Sequence, residues 1–387
     1  MKLSGNQSTL LRRFRRCHPA ILILLCLTAP CLCVAQESKL APAKRTRIEA
    51  AVSKFMASTH APGISVAVVE RGEYEWGQGF GFADLENSVP ASEHTLFRLA
   101  SISKSLAATA AMQLVERGRL DLDAPVQKYC PSFPEKPWPI STRQVLGHLG
   151  GIRHYKPDSP DNLESGNTKH FDDPLQAGLN FFKDDPLVAQ PGTSFHYSTQ
   201  GYTVVGCVIE GASGAKFVDF LRQNIFIPAQ MSQTQTDDRF AIIPYRTRFY
   251  DKKESGTVRN ADFLDSSYKI PGGGWLSSAE DMARFEVAIL NDKLIRRQTR
   301  DLMWTPLKPS DGSPNTYALG WGWGKHDAHE VAGVGHTGGQ QGTSTAIVLA
   351  PDERAGVVVL INMEDQDAGE LAREILNILS VAPGEKP

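Results

Sequence analysis

Ser101-Ile-Ser-Lys104 is the first arrangement in the chain whose residue types and spacing suit chemistry. Two residues three apart at the start of a helix share a face and can touch. A serine hydroxyl is a weak nucleophile until a neighbouring base takes its proton, and a lysine serves as that base only when burial or other cations lower its pKa. The helix N-terminus adds backbone N–H groups that can meet a developing oxyanion. Spacing alone decides little, because average Ser and Lys usage gives a chain of this length about one or two such pairs by chance. Ser266-Ser-Tyr-Lys269 is a decoy of this kind, since it runs into Pro271-Gly-Gly-Gly274, which is not expected to continue a helix. The Ser101 copy instead opens a segment, Ser103 to Gly118, with helical apolar spacing. Its Ala107, Ala108, Ala110, Ala111 and Met112 form a small-residue face suited to deep burial.

Other chemistries find less support. His326-Asp-Ala-His329 lacks the His-Glu-x-x-His arrangement and a third ligand, so the histidines read as loop residues and no metal site is assigned. No Gly-x-Ser-x-Gly elbow is present, which argues against an α/β-hydrolase. Gly77, Gly79 and Gly81 are followed by no helix start and read as twisted strand rather than a phosphate loop.

The elements that must position these groups occur at both ends of the chain. Arg45 to Ser58 reads as an amphipathic helix and Gly63 to Glu70 as a strand. Strand patterns return at Tyr317–Trp323, Ser344–Ala350 and Gly356–Asn362, before a last helix over Asp367–Leu379. The expectation is an α/β chain of α+β type, with an antiparallel sheet built from both ends and flanked by helices. Residues 40–385 form the domain, its sheet lobe over about 40–115 and 270–385, and a largely helical insertion over about 116–269. The cleft between the lobes is the natural place for a site.

Several motifs now resemble those of the serine β-lactamase and penicillin-binding-protein superfamily, and especially its class C β-lactamase-like branch. Phe97-Arg-Leu-Ala-Ser-Ile-Ser-Lys-Ser105 is similar to its nucleophile motif, and Gly118–Val126 and Gly147–Arg153 to its usual continuation. Pro191-Gly-Thr-Ser-Phe-His-Tyr-Ser-Thr-Gln-Gly-Tyr202 resembles its tyrosine motif and places Tyr197 at the catalytic position, with Thr199 where an asparagine is usual. Gly335-His-Thr-Gly-Gly339 resembles the third motif, with His336 in place of the common lysine. His148-Leu-Gly150 is another His-x-Gly, with no clear strand after it.

The resemblance implies Ser101, Lys104 and Tyr197 as catalytic residues. His336, Thr337, Gly338, Gly339 and Thr199 would line the substrate and oxyanion site, with the N–H groups of Ser101 and Gly339 as the oxyanion donors. The Thr199 and His336 variants resemble a mitochondrial serine β-lactamase-like branch, and a mostly neutral imidazole attracts a substrate carboxylate less than an ammonium would. Esterase or peptidase activity on a small molecule or peptide is therefore as well supported as β-lactam hydrolysis. The rival is a non-catalytic or single-turnover penicillin-binding sensor. Taken singly, Ser101 reads equally as a helix N-cap, Lys104 as a solvated charge, Tyr197 as a core aromatic and His336 as a loop histidine; their order and spacing together favour chemistry.

Composition bounds the setting. With 387 residues and 41% hydrophobic content the chain can bury a large core. Arg12, Arg13, Arg15 and Arg16 precede an apolar run from Ala20 and a Cys33-Val-Ala35 sequence, the order of a secretory signal peptide. The run is short for a span, so residues 1–35 are expected to be cleaved near Ala35, leaving a periplasmic or secreted protein with no stable membrane anchor. Cleavage removes five basic residues and no acidic one, moving the formal charge from −2 to −7, which argues against nucleic-acid partners. No metal or organic cofactor is implied. Cys130 and Cys207 lie beyond this segment and are expected to be buried thiols, although they could pair. Arg153 and His154 could line the entrance of the cleft, with surface packing the preferred reading.

Overall fold

Alternation along two strands sets the layers. In β1 (Gly63–Glu70), Ile64, Val66 and Val68 enter one apolar cluster, while Ala67 and Val69 enter another. In β7 (Ala355–Ile361), Val357, Val359 and Ile361 join the first cluster, and Val358 and Leu360 the second. A period of two places successive side chains on opposite faces, so both faces of these strands are buried. The structure is a computed structural model that describes residues 39–157, 164–324 and 333–380.

The main sheet contains β1, β2 (Glu73–Asp84), β3 (Val89–Pro90), β4 (Gly322–Gly324), β5 (Gly333–Gln340), β6 (Thr343–Ala350) and β7. Their order is β3-β2-β1-β7-β6-β5-β4, with every neighbouring pair antiparallel. The β1–β7 ladder, with Ile64 opposite Ile361, joins the two ends of the chain, as the sequence predicts. Helices α1 (Pro42–Thr59) and α5 (Ala368–Ser380) supply Ile48, Val52, Leu371 and Ile375 to the first cluster. Helices α2 (Ser103–Glu116) and α4 (Ala279–Leu290) belong to the second. Every residue of α2 from Ser103 to Leu114 is buried, which its alanines permit by letting neighbours approach closely.

Three sequence expectations change. Tyr317–Trp323 is not one strand: Gly320 adopts φ +77°, the chain turns there, and Tyr317 only bridges Gly322 before β4 begins. A side chain at Gly320 would come within 2.6 Å of the Ala108 Cβ, so the turn also needs glycine to lie against α2. The middle third adds a two-stranded sheet, Tyr250–Lys252 with Val258–Asn260, and a short strand, Gln235–Thr236, that joins Trp275–Ser277 and Phe97–Arg98 in a three-stranded sheet. Cys130 and Cys207, expected as separate thiols, form a disulfide with a Cα–Cα distance of 5.3 Å. It ties α3 (Thr199–Ser213) to the turn after Val126–Lys128 across 77 residues of sequence. Closing a loop of that length limits the unfolded chain, so the Cys130→Ala/Cys207→Ala variant should unfold about 4 kcal/mol more easily, checked by urea titration.

Glu286 of α4 is 0% exposed, and neither carboxyl oxygen has a hydrogen-bond partner among the described residues. Burial raises its pKa well above the ordinary 4.5. In the unfolded chain it ionises near 4.5, whereas in the folded chain it holds its proton to higher pH, so stability is lost as pH rises above 4.5. Glu286→Gln should flatten that part of the melting-temperature profile; an unchanged slope between wild type and variant would assign it elsewhere.

Two further readings, the leader over residues 1–35 and the histidines at 326 and 329, lie outside the described residues. Among the described residues no helix is long and apolar enough to cross a membrane.

Candidate active site

The nucleophile motif folds as a single 3-10 turn, Ala100–Ile102, running into α2. Ala100 precedes Ser101 with φ +46°, a left-handed backbone that an alanine adopts only at a cost. One turn later Lys104 points back at Ser101, with Nζ 2.9 Å from Oγ. The same amine donates to Thr199 Oγ1 at 3.1 Å and to the Gly272 carbonyl at 2.8 Å. Lys104 is 0% exposed, and burial first, then the charge of Lys269, lower its pKa well below the ordinary value. A neutral amine in this position directs two N–H groups at Thr199 and Gly272, which leaves its lone pair toward Ser101. Thr199 thus supplies an oxygen partner to Lys104 where the superfamily usually has an amide.

Tyr197 donates to Ser101 Oγ from the other side at 2.8 Å. Its place follows from the start of α3: Ser198 caps that helix by accepting from the Gly201 N–H, while its hydroxyl donates to the Arg153 carbonyl. Burial raises the Tyr197 pKa, so the phenol is protonated at neutral pH and presents a donor. Between the two neighbours of Ser101, the lysine is therefore the one suited to accept a proton.

His336 sits in β5, where Nδ1 lies 2.5 Å from the Thr337 carbonyl and Nε2 lies 2.8 Å from the Tyr317 hydroxyl. A neutral ring satisfies both, donating from Nδ1 and accepting at Nε2. Burial, then the Lys104 charge, push its pKa down to about 3, so it brings no cation to the site. Gly338 is buried: a Cβ there would lie 2.4 Å from Thr345 Oγ1, 2.5 Å from the Leu99 carbonyl and 3.0 Å from the Ser101 N. Its missing side chain lets β5 lie against the nucleophile's backbone. Gly339 opens onto free space. The partner strand β4 stops opposite Gly335, so among the described residues no strand pairs with that edge of β5 from His336 to Gln340.

Two cavities meet at Ser101, Tyr197 and Gly339. One, of 480 Å³, runs along His336, Thr337 and Tyr317 to Ile347 and Leu376. The other, of 380 Å³, is lined by Thr199, His154, Tyr155, Lys269, Gln340 and Glu364, among others. The sequence-selected residues therefore converge, although Lys104, buried behind Ser101, and Gly338, beneath the strand, line neither cavity.

His154 accepts from the Thr199 N–H at 3.2 Å and faces the second cavity, its pKa pushed down to about 4 by burial and by Lys104 and Lys269. Arg153 is half-buried and holds Glu164 at 2.7 Å and Asp185 at 2.6 Å. His148 accepts from the Ser198 N–H at 3.1 Å and packs 4.3 Å from the Tyr197 ring centre, supporting that phenol from behind. The Ser266 decoy forms no nucleophile–base pair, but, against the sequence expectation, helix does continue into the glycines: Ser267–Lys269 makes a 3-10 turn and Ile270–Gly273 one α-helical turn, with Lys269 buried in the cleft. Among the described residues no cluster of three metal-ligating side chains is found.

Antiparallel sheet, buried helix and a serine flanked by lysine and tyrosine are the marks of a serine hydrolase of the β-lactamase and penicillin-binding type. The chain belongs to the β-lactamase family, whose model matches residues 48–380. It is 32% identical to the human serine beta-lactamase-like protein LACTB, mitochondrial, over 76% of this chain and 69% of the relative. It is 28% identical to penicillin-binding protein 4* of Bacillus subtilis over 80% of this chain and 70% of that protein. Among solved structures, an octameric penicillin-binding protein homologue from Pyrococcus abyssi superposes with a TM-score of 0.74 at 26% identity, covering 87% of this chain and 77% of that one.

These relatives correct the expected location. The human, mouse and bovine proteins matched at 31–32% identity are mitochondrial by name, against the periplasmic or secreted reading. The physical source of the error is plain, since an Arg-rich N-terminal stretch without acidic residues is shared by secretory and mitochondrial leaders.

Proposed function

We propose that this hydrolase opens ester or amide bonds through an acyl-enzyme on Ser101. The observation that carries the reading is the pair of contacts on one hydroxyl oxygen, Lys104 at 2.9 Å and Tyr197 at 2.8 Å. Lys104 takes the Ser101 proton as Oγ bonds to the substrate carbonyl carbon, and the carbonyl oxygen becomes an oxyanion. The N–H groups of Ser101 and Gly339 stabilise that charge. Collapse of the intermediate breaks the bond to the leaving group, which receives a proton through Tyr197 with replenishment from Lys104. Water then cleaves the acyl-enzyme and restores the serine.

The substrate segment beside β5 would pair with its unpartnered edge, which suits a peptide-like amide or an extended ester. A neutral His336 removes the usual anchor for a carboxylate, so peptidase or esterase activity fits better than β-lactam hydrolysis. The test is to incubate wild type and Ser101→Ala with a fluorescent penicillin, a chromogenic cephalosporin and a nitrophenyl ester, following labelling and turnover. Turnover that requires Ser101 supports the reading. Labelling that stops at one equivalent supports a penicillin-binding sensor, and activity unchanged in Ser101→Ala overturns the mechanism.

A further inference from the structure

We propose that the cavity along β5 is a slot for an unbranched apolar chain of the substrate, floored by four glycines on one face of the β4–β5 pair. The inference rests on the acyl-enzyme reading above and names the substrate class it takes, an ester or amide that carries such a chain beside the scissile bond. Gly335 lies opposite Gly322, and Gly333 opposite Gly324. Opposed residues of an antiparallel pair share a face, and successive ones alternate. Val334, between the two β5 glycines, is buried in the cluster that holds residues of α2 and α4. The four glycines therefore lie on the opposite face, the one that α5 packs. Thr337 is on it too, since a Cβ at Gly369 of α5 would lie 3.0 Å from Thr337 Cγ2. Helix α5 rests on β6 and β7, so beside it the floor of the sheet is bare backbone at these four positions. All four line the same cavity as Ser101 and Tyr197.

The walls change in character with distance from the nucleophile. Thr337 adjoins Gly338, which lies against the Ser101 N, and the same Gly369 position is 3.1 Å from Arg373 Nη1, so a guanidinium stands at this near end. Gly333 is four residues further back, about 13 Å along the strand. A Cβ there would lie 3.0 Å from Val348 Cγ1 and 3.9 Å from Leu376 Cδ2, so the far end is aliphatic. A chain running from Ser101 along the floor passes from polar to apolar surroundings, which fits an ester or amide head followed by methylenes. Glycine inside a strand weakens it and recurs where a ligand comes close to the backbone. At Gly335 the fold itself demands glycine, since a Cβ would lie 2.3 Å from the Ile347 carbonyl oxygen. Gly322 is different. Beyond its chain neighbours, the nearest atoms to a Cβ there are the Gly335 carbonyl oxygen at 3.8 Å and Tyr317 Cδ2 at 4.0 Å, and its φ is not left-handed. Nothing in the backbone forbids a side chain at Gly322; what its absence provides is room over the sheet, next to the reacting serine.

The experiment measures kcat/KM of wild type, Gly322→Ala and Gly322→Leu on two series of esters, with far-UV circular dichroism to establish that each variant folds. Nitrophenyl acetate, butanoate and hexanoate lengthen the acyl chain; ethyl, butyl and hexyl acetate lengthen the alcohol. In at least one series wild type should gain up to about fourfold for each added methylene, and the series that responds assigns the slot to the acyl chain or to the leaving group. Gly322→Leu fills the floor and should lower the ratio of the longest to the shortest ester in that series by about tenfold or more, and Gly322→Ala by about fourfold. If Gly322→Leu does not fold, the Gly322→Ala ratio decides. Rates that rise with length in neither series, or a ratio unchanged in the folded variant, overturn the inference. If wild type shows no Ser101-dependent turnover of any ester, the acyl-enzyme reading fails by itself. Binding of hexanol is then followed by saturation-transfer NMR in wild type and Gly322→Leu. Loss of the signal in the variant supports the slot, and an equal signal rejects it.

Discussion

Lys104→Met should lower kcat/KM at neutral pH by about 10³-fold, within the range set by loss of a positioned base. Methionine has nearly the reach of lysine without its lone pair, so the helix and its buried surroundings are retained. The Thr199 hydroxyl and the Gly272 carbonyl each lose a donor, an effect of about 1–3 kcal/mol on stability. Lys104→Arg should fare no better, because a guanidinium is always protonated and cannot accept the Ser101 proton. The diagnostic is the pH profile. In wild type activity rises as Lys104 loses its proton, at a pH well below that of an ordinary lysine. In Lys104→Met the residual rate should lack that limb, and a variant that keeps it would move the role of base to another group.

Gly338→Ala should cost about 10²–10³-fold in kcat while the chain still folds. The new methyl meets backbone on two sides, the Leu99 carbonyl and the Ser101 N, together with the Thr345 hydroxyl, and none of these is a flexible chain end. Strand β5 must move away from the nucleophile turn, which separates the two proposed oxyanion donors, and loss of one such donor has an effect of this size. The overpacking itself should destabilise by about 1–3 kcal/mol. Gly339→Ala is the control, since its Cβ enters open space. It should fold like wild type and change KM more than kcat. Steady-state kinetics with circular dichroism on both variants distinguishes the two glycines, and equal effects would refute the geometric argument.

Sequence reading succeeds here where chemistry is local. Ser101 and Lys104 are one helical turn apart, so their contact follows from spacing, and the β-branched apolar runs of β1 and β7 mark them as strands. It falls short where partners are distant in sequence. The bond between Cys130 and Cys207 depends on how α3 packs. The contact of His154 with the Thr199 N–H spans 45 residues and is not legible from either segment alone. Lys269 reads as part of a decoy because Pro271 and glycines follow it, yet Ser267–Lys269 and Ile270–Gly273 form consecutive helical turns that bury the lysine. Resemblance puts Gly338 in the substrate site, and only the register of β5 shows it facing the nucleophile's backbone from underneath.

Ala100 has one more consequence. Its left-handed backbone beside the nucleophile amounts to about 1–3 kcal/mol held in the folded state. A glycine would relieve it, but would also let the turn wander. The alanine therefore acts as a compressed spring whose recoil is blocked by β5 on one side and α2 on the other, giving up some folding stability for a serine that has a single aim.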